Sequence, residues 1–169
     1  MYNYGLGYQS LFNVTNGVHN YGLGYRALYN LITGSFNIGA AIYAGRYFGD
    51  STSPLTDASY GMFLGYDCRA SANGNTDETV IGRTAVGNGS NTTTIGGASH
   101  KSLHVSGVIA TTSYTVAALP SASSVPVGSH AFVTNGRKAG EGPGAGTGVP
   151  VWSDGVKWRT YYDNTEVQA

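Results

Sequence analysis

Apolar residues flanked by glycine return along the first hundred positions of the chain at a fixed interval. Asn3-Tyr-Gly-Leu-Gly-Tyr recurs unchanged from Asn20, seventeen residues later; Leu11 is then matched by Leu28, Asn13 by Asn30 and Gly17 by Gly34. A third copy opens at Asn37-Ile-Gly and decays into Ala41-Ile-Tyr-Ala-Gly45. Asp50 to Asp57 reads as a loop insertion. The motif resumes at Leu64-Gly65-Tyr66, again seventeen residues on at Ile81-Gly82-Arg83, and in shortened form at Thr94-Ile95-Gly96. A unit of this length has room for two short strands and two turns but not for a helix pair. The spacing predicts one coil of a β-solenoid per repeat, with coils stacked about 4.8 Å apart. Leu6, Leu23, Leu64, Ile81 and Ile95 are then expected to form one inward ladder, and Leu11 and Leu28 to begin a second. Gly5, Gly7, Gly22, Gly24, Gly65 and Gly82 fit positive-φ turns or close backbone approach, and Asn13, Asn30, Asn16-Gly17 and Thr33-Gly34 supply turn chemistry.

Beyond the repeats the pattern changes. Ser99 to Ile109 alternates, with Leu103 and Val105 on one face and His100, Ser102 and His104 on the other, which predicts a half-buried strand leading out of the roll. Thr111 to Pro126 is small, β-branched and punctuated by serine and proline, as a neck or linker is. Gly140 to Gly148 predicts a mobile or tightly turning loop, and Val149 to Arg159 a β-hairpin around Asp154-Gly155. The organisation expected is an all-β chain: residues 1–97 a solenoid of seventeen-residue repeats, 98–116 a strand and linker, and 117–169 a small β-rich terminal module.

Composition narrows the functional classes. Only 11% of residues are charged, and nine Lys and Arg offset nine Asp and Glu, so no basic surplus draws the chain to nucleic acid or anionic lipid. Cys68 stands alone, which excludes a disulfide within one chain and a multi-cysteine zinc site. No apolar run reaches the roughly 18 residues of a membrane span, and no charged-then-apolar leader follows Met1. No cofactor or metal is expected: His100 and His104 lack the spacing of axial histidine sites, and Asn73 to Glu78 lacks that of an EF-hand and reads as a turn. Catalytic signatures are missing too. Asp77 and Glu78 are adjacent and would point to opposite faces of a strand, Cys68 has no motif around it, and the glycine loop at 140–148 has no Lys-Ser/Thr to make it a P-loop. The expectation is a protein that is not an enzyme.

Size adds an expectation of assembly. A coil this narrow encloses about two or three apolar side chains, too little burial to offset the ordering of its own backbone. Copies of the chain are therefore expected to share a core, and cyclic closure is the simple solution.

The units Asn-Tyr-Gly-Leu-Gly-Tyr-x-(Ser/Ala)-Leu-(Phe/Tyr)-Asn resemble the head repeats of YadA-like trimeric adhesins, and more closely the degenerate copies of such repeats in bacteriophage tail fibres. The resemblance covers about residues 3–97 and implies three chains interlocked as a left-handed parallel β-roll. The third repeat, with Ala41 in place of glycine and the insertion after it, departs from the pattern. Ala118-Leu-Pro120, Gly128 to Thr134 and Gly148 to Arg159 resemble the small terminal modules of phage fibre proteins. Together these imply a virion protein that forms a homotrimer, joins other tail or baseplate proteins and attaches to a glycan or protein receptor on a bacterial surface. A capsid-decorating head fibre and the head of a trimeric bacterial adhesin share the fold, and a glycan depolymerase is the enzymatic alternative.

Two sets of side chains are candidates for contact with a receptor. Tyr4, Tyr8, Tyr21, Tyr25 and Tyr66 recur at equivalent positions and read first as packing between coils and between chains, and second as a platform for sugar rings. In the hairpin, a two-residue turn pairs Ser153 with Val156 and Val151 with Trp158, and places Trp152 with Lys157 and Arg159 on an exposed face. A three-residue loop instead puts Trp152 and Trp158 together in the core.

Overall fold

The computed structural model describes residues 2–169. They form two compact units, which divide between His104 and Val105.

The first unit is a β-solenoid. Its spine is a six-stranded sheet of β1 (Tyr4–Leu6), β2 (Tyr21–Leu23), β3 (Ile38–Ala40), β6 (Met62–Leu64), β7 (Glu78–Ile81) and β8 (Thr92–Ile95), all parallel and stacked in that order. Tyr4 pairs with Tyr21, Tyr21 with Ile38 and Met62 with Thr79, each a step of seventeen residues. Ile38 pairs with Met62, twenty-four residues on. The seven extra residues fold into a small antiparallel hairpin of β4 (Tyr47–Phe48) and β5 (Ser53–Pro54), whose turn is closed by the Asp50 carboxylate accepting from the amides of Thr52 and Ser53 at 2.9 and 2.7 Å. The last step, Glu78 to Thr92, is fourteen residues. Across the roll the wall facing the spine is made of turns joined by isolated parallel bridges such as Arg69 with Val86.

The corners explain how so short a repeat closes. Gln9, Arg26, Tyr43, Asp67 and Thr84 occupy one corner of successive coils with φ between 47° and 62°, and His19, Phe36, Tyr60, Asp77 and Asn91 occupy another with φ between 54° and 61°. These are left-handed conformations held by residues other than glycine, each of which costs on the order of 1 kcal/mol. At the corner where backbones meet, glycine stands in every coil but the third, where Ala41 takes φ 120°. Gly24 sits at φ 140°, and a Cβ there would lie 2.7 Å from the carbonyl carbon of Ala41 in the next coil.

The expected inward ladder of Leu6, Leu23, Leu64, Ile81 and Ile95 forms, in register, but it faces out of the roll. Leu6 is 62% exposed and Ile95 56%, with Leu64 and Ile81 half-buried. The positions between them face inward instead: Gly22, Gly39, Phe63 and Val80 are buried. The reason is width. Leu28, fully buried on the opposite wall, fills the interior so completely that a Cβ on Gly39 would come within 2.7 Å of its Cγ. One coil further the arrangement inverts, with Phe63 projecting from the spine and Gly45 facing it, where a Cβ would meet the ring at 2.8 Å. These two layers therefore each hold one large side chain against one glycine. Leu11 and Leu28 do pack in the core as the second ladder, beside Ala27, Ala44, Cys68 and Ala85. Burial pushes the Cys68 thiol up to about 12, which keeps it protonated and inert.

A third column, absent from the sequence reading, runs through the interior. Asn3, Asn20 and Asn37 precede the first three spine strands. The Oδ1 of each accepts from the main chain one coil on: Asn20 N–H at 2.9 Å, Asn37 N–H at 3.0 Å and Gly61 N–H at 2.8 Å. Their Nδ2 groups donate to the carbonyls of Gly17, Gly34 and Ala58 at 2.6–2.8 Å. Asn20 and Asn37 are wholly buried, so the ladder satisfies backbone groups that the narrow core hides from water.

The second unit is a four-stranded sheet in the order β12-β11-β10-β9, with β9 (Ser113–Tyr114) parallel to β10 (His130–Val133), and β11 (Val149–Ser153) antiparallel to both β10 and β12 (Trp158–Thr160). Two single-turn 3-10 helices, Val116–Ala118 and Ala122–Ser124, lie between β9 and β10. Ala122, Ala131, Val133, Val149, Val151, Trp158 and Val167 form its core. The strand expected over Ser99 to Ile109 does not form: Leu103 and Val105 are exposed and no sheet pairs with the segment. The end of the expected linker, Ser113 and Tyr114, is an edge strand of the terminal sheet.

Candidate functional site

The spine carries an apolar outer surface. Two columns of side chains project from it, Tyr4, Tyr21, Ile38, Met62 and Thr79 in one and Leu6, Leu23, Ala40, Leu64, Ile81 and Ile95 in the other. Tyr4, Leu6, Tyr21, Leu23 and Ile95 are exposed, and the remainder half-buried. A parallel sheet ordinarily has both faces covered, and a continuous apolar strip of this kind marks an interaction surface.

Around the corners the aromatic residues stack along the roll. Tyr8 lies on Tyr25 with ring centres 5.5 Å apart, Phe12 on Tyr29 at 5.6 Å, and His19, Phe36 and Tyr60 form a continuous pile with spacings of 5.0 and 5.1 Å. Tyr4–Tyr21 and Tyr43–Tyr66 are tilted neighbours. The recurring tyrosines thus pack between coils, while their outer edges stay open to solvent. Arg46 is set over the rings of Tyr47, Tyr43 and Tyr29 at 4.6, 4.9 and 5.4 Å, and Arg26 over Tyr25 and Tyr29. These cation–π contacts were not read from the sequence; arginine one place after a repeat tyrosine, Tyr25-Arg26, was the available signal.

In the terminal module the hairpin register differs from both sequence readings. Ser153 pairs with Trp158, Trp152 with Arg159 and Val151 with Thr160, leaving a four-residue loop, Asp154 to Lys157. Asp154 dictates the longer loop, because its carboxylate accepts from the amides of Val156 and Lys157 at 2.8 and 2.6 Å. A shift by two residues preserves the faces. Trp158 is therefore buried, its indole N–H donating to the Pro120 carbonyl at 2.8 Å, and Trp152 lies on the opposite face between His130 and Arg159.

The expected cluster of Trp152, Lys157 and Arg159 is only partly assembled. Arg159 Nε donates to Asp154 at 2.6 Å and Lys157 to Glu166 at 2.6 Å, so both cations are neutralised within the module. The amide of Lys157 first, then the Arg159 guanidinium and the amide of Val156, hold the Asp154 carboxyl down to about 2. The Arg159 pair accordingly persists in any mildly acidic medium and is lost only as pH falls toward that value.

His100 and His104 do not meet. His100 Nδ1 accepts from the amide of Gly97 at 2.7 Å, and His104 contacts Ser102. Asn73 lies in a turn and caps the amides of Thr56 and Asp57 at 2.8 and 2.9 Å. Among the described residues no three His, Cys, Asp or Glu side chains come together to hold a metal ion, and no helix is long and apolar enough to cross a membrane. Comparison with protein-family models, with curated proteins and with solved structures gives no match.

Proposed function

We propose that the protein is a homotrimeric structural component of a bacteriophage tail fibre that attaches the particle to a bacterial surface. The observation that carries this reading is the outward ladder of Leu6, Leu23, Leu64, Ile81 and Ile95, repeated once per coil on a sheet face that the chain itself leaves uncovered. Three such faces closing about an axis bury what one roll cannot, and the repeated units resemble those of trimeric fibres. The terminal module then presents a receptor-binding surface in three copies, so weak single contacts add through multivalency.

Sedimentation equilibrium at micromolar concentration tests the assembly. A trimer is expected; a well-folded monomer overturns the reading. Replacing Leu23 and Leu64 together by Lys is expected to dissociate the trimer, since charges on a buried interface have no partner there, while circular dichroism shows whether the coils persist. For attachment, Trp152→Ala is expected to reduce adsorption of the purified protein to host cells severalfold with the trimer intact. Unchanged adsorption removes Trp152 from the receptor surface.

A further inference from the structure

Four of the chain's Lys and Arg lie in the terminal module: Arg137, Lys138, Lys157 and Arg159. Lys157 and Arg159 are spent on Glu166 and Asp154. Arg137 and Lys138 are in no ion pair among the described residues, and both line one shallow cavity of about 300 Å³ with Glu141, Tyr162, Asp163 and Glu166. This is the lower end of the size range for small-ligand sites.

The cavity is built. The main chain of Arg137 donates to the Gln168 carbonyl at 2.9 Å, and its guanidinium is steered by the Gln168 side chain. The Arg137 Nε is buried and has no hydrogen-bond partner. Tyr162 is held beside it by a hydrogen bond from its hydroxyl to the Arg137 carbonyl at 3.1 Å, while half its surface stays open. The carboxylates are fixed as well. Glu141 accepts from the Lys138 amide at 2.7 Å and from Thr147, and Asp163 accepts from Thr160 and Thr165. These contacts, the Lys138 amide foremost for Glu141 and the Thr160 hydroxyl for Asp163, lower both carboxyls below their ordinary range, so they remain ionised acceptors.

We infer that this cavity binds a monosaccharide unit bearing a carboxylate, of the hexuronic acid type. The inference deepens the attachment reading and rests on it for its biological sense. The Arg137 guanidinium and the Lys138 ammonium, which also donates to Thr147 Oγ1 at 2.8 Å, both line the cavity, and a carboxylate matches such a pair of cations. The carboxylates on the rim have lone pairs to accept from sugar hydroxyls, and the open face of Tyr162 offers a flat apolar wall for the C–H face of a pyranose. A phosphate ester is disfavoured, because it brings a second negative charge to a cavity that already holds three carboxylates.

The test is titration of the full chain with sodium glucuronate, glucose and inorganic phosphate, followed by ligand-observed NMR. Saturable binding of glucuronate is expected, with glucose and phosphate at least about tenfold weaker. Arg137→Met is expected to weaken glucuronate binding by about tenfold or more, and Arg137→Lys by less, because it keeps the charge and loses the fork. Lys138→Met, at an exposed position, gives a second variant whose folding is not at risk, and should weaken binding severalfold. Glucose bound as tightly as glucuronate, phosphate bound more tightly, no saturation by glucuronate, or no change in both Met variants each overturns the inference. Sugar binding by the soluble chain is independent of the trimer and of adsorption. Its loss with normal adsorption defeats the cavity alone, and its presence without adsorption defeats the attachment reading alone.

Discussion

Phe63→Ala is expected to destabilise the solenoid by about 3–5 kcal/mol, the largest effect of any single apolar truncation in the roll. Phe63 is the largest fully buried side chain of the chain, and its ring lies against positions 45 and 61, both glycine, where even a methyl group would come within 2.8 Å. Those neighbours have no side chains with which to refill the space. The backbone around them is pinned by the inter-coil hydrogen bonds of Gly45 to Cys68 and Gly61 to Asn37, so the cavity cannot collapse and the cost falls in the upper part of the range. Urea unfolding at fixed chain concentration, followed by far-UV circular dichroism, measures it; tryptophan fluorescence does not, because Trp152 and Trp158 both lie in the terminal module. A loss under about 1 kcal/mol would mean that the interior is not packed as described. Phe63→Leu, which keeps most of the volume, should recover the greater part of the stability.

Glu78→Ala is expected to cost about 3 kcal/mol or more by a different route. Glu78 stands in the column that Asn3, Asn20 and Asn37 occupy in earlier coils, and it is 1% exposed. Its oxygens accept from the amides of Ser71 and Gly89, at 3.2 and 2.8 Å, and from Asn75 Nδ2 at 3.0 Å. It is in no salt bridge among the described residues; its oxygens are met by N–H groups. Removing it orphans those donors around a buried position. Glu78→Gln keeps the shape and one acceptor but turns a donor toward donors, and is expected to cost less than Ala while remaining destabilising. Equal stability of the Ala variant and the parent would show that the donors find other partners. Gly87 belongs to the same arrangement, since a Cβ there would lie 2.0 Å from Glu78 Oε1.

The repeat period was fully legible: seventeen residues in the sequence became seventeen residues of register in three of the five spine pairings. What the period leaves open is parity. Tyr4-Gly5-Leu6 alternates perfectly, but hydrophobicity alone sends leucine inward, and the interior is too narrow for a large residue from each wall. The decisive signal was a paired exchange, glycine on the spine with Leu28 opposite, then Phe63 on the spine with Gly45 opposite. The buried role of Glu78 was hidden because Asp77-Glu78 read as a polar turn, and its column is visible only once Asn3, Asn20 and Asn37 are aligned through the seven-residue excursion. In the terminal module, Asp154-Gly155 signalled a turn and the faces of the hairpin followed. The pairing of Arg159 and Lys157 depends on Asp154 and on Glu166, which no local pattern ties to them.

The hairpin of β4 and β5 has a practical consequence. β3 and β6 pair as neighbours although seven additional residues lie between them, and the excursion is tied off by its own turn at Asp50 rather than by the spine. A guest peptide replacing Asp50 to Thr52 would give up that turn and keep the strand pairing beneath it, Tyr47 with Pro54 and Phe48 with Ser53. The roll is in this sense a scaffold with a natural port for display, where cargo length is uncoupled from the framework that carries it.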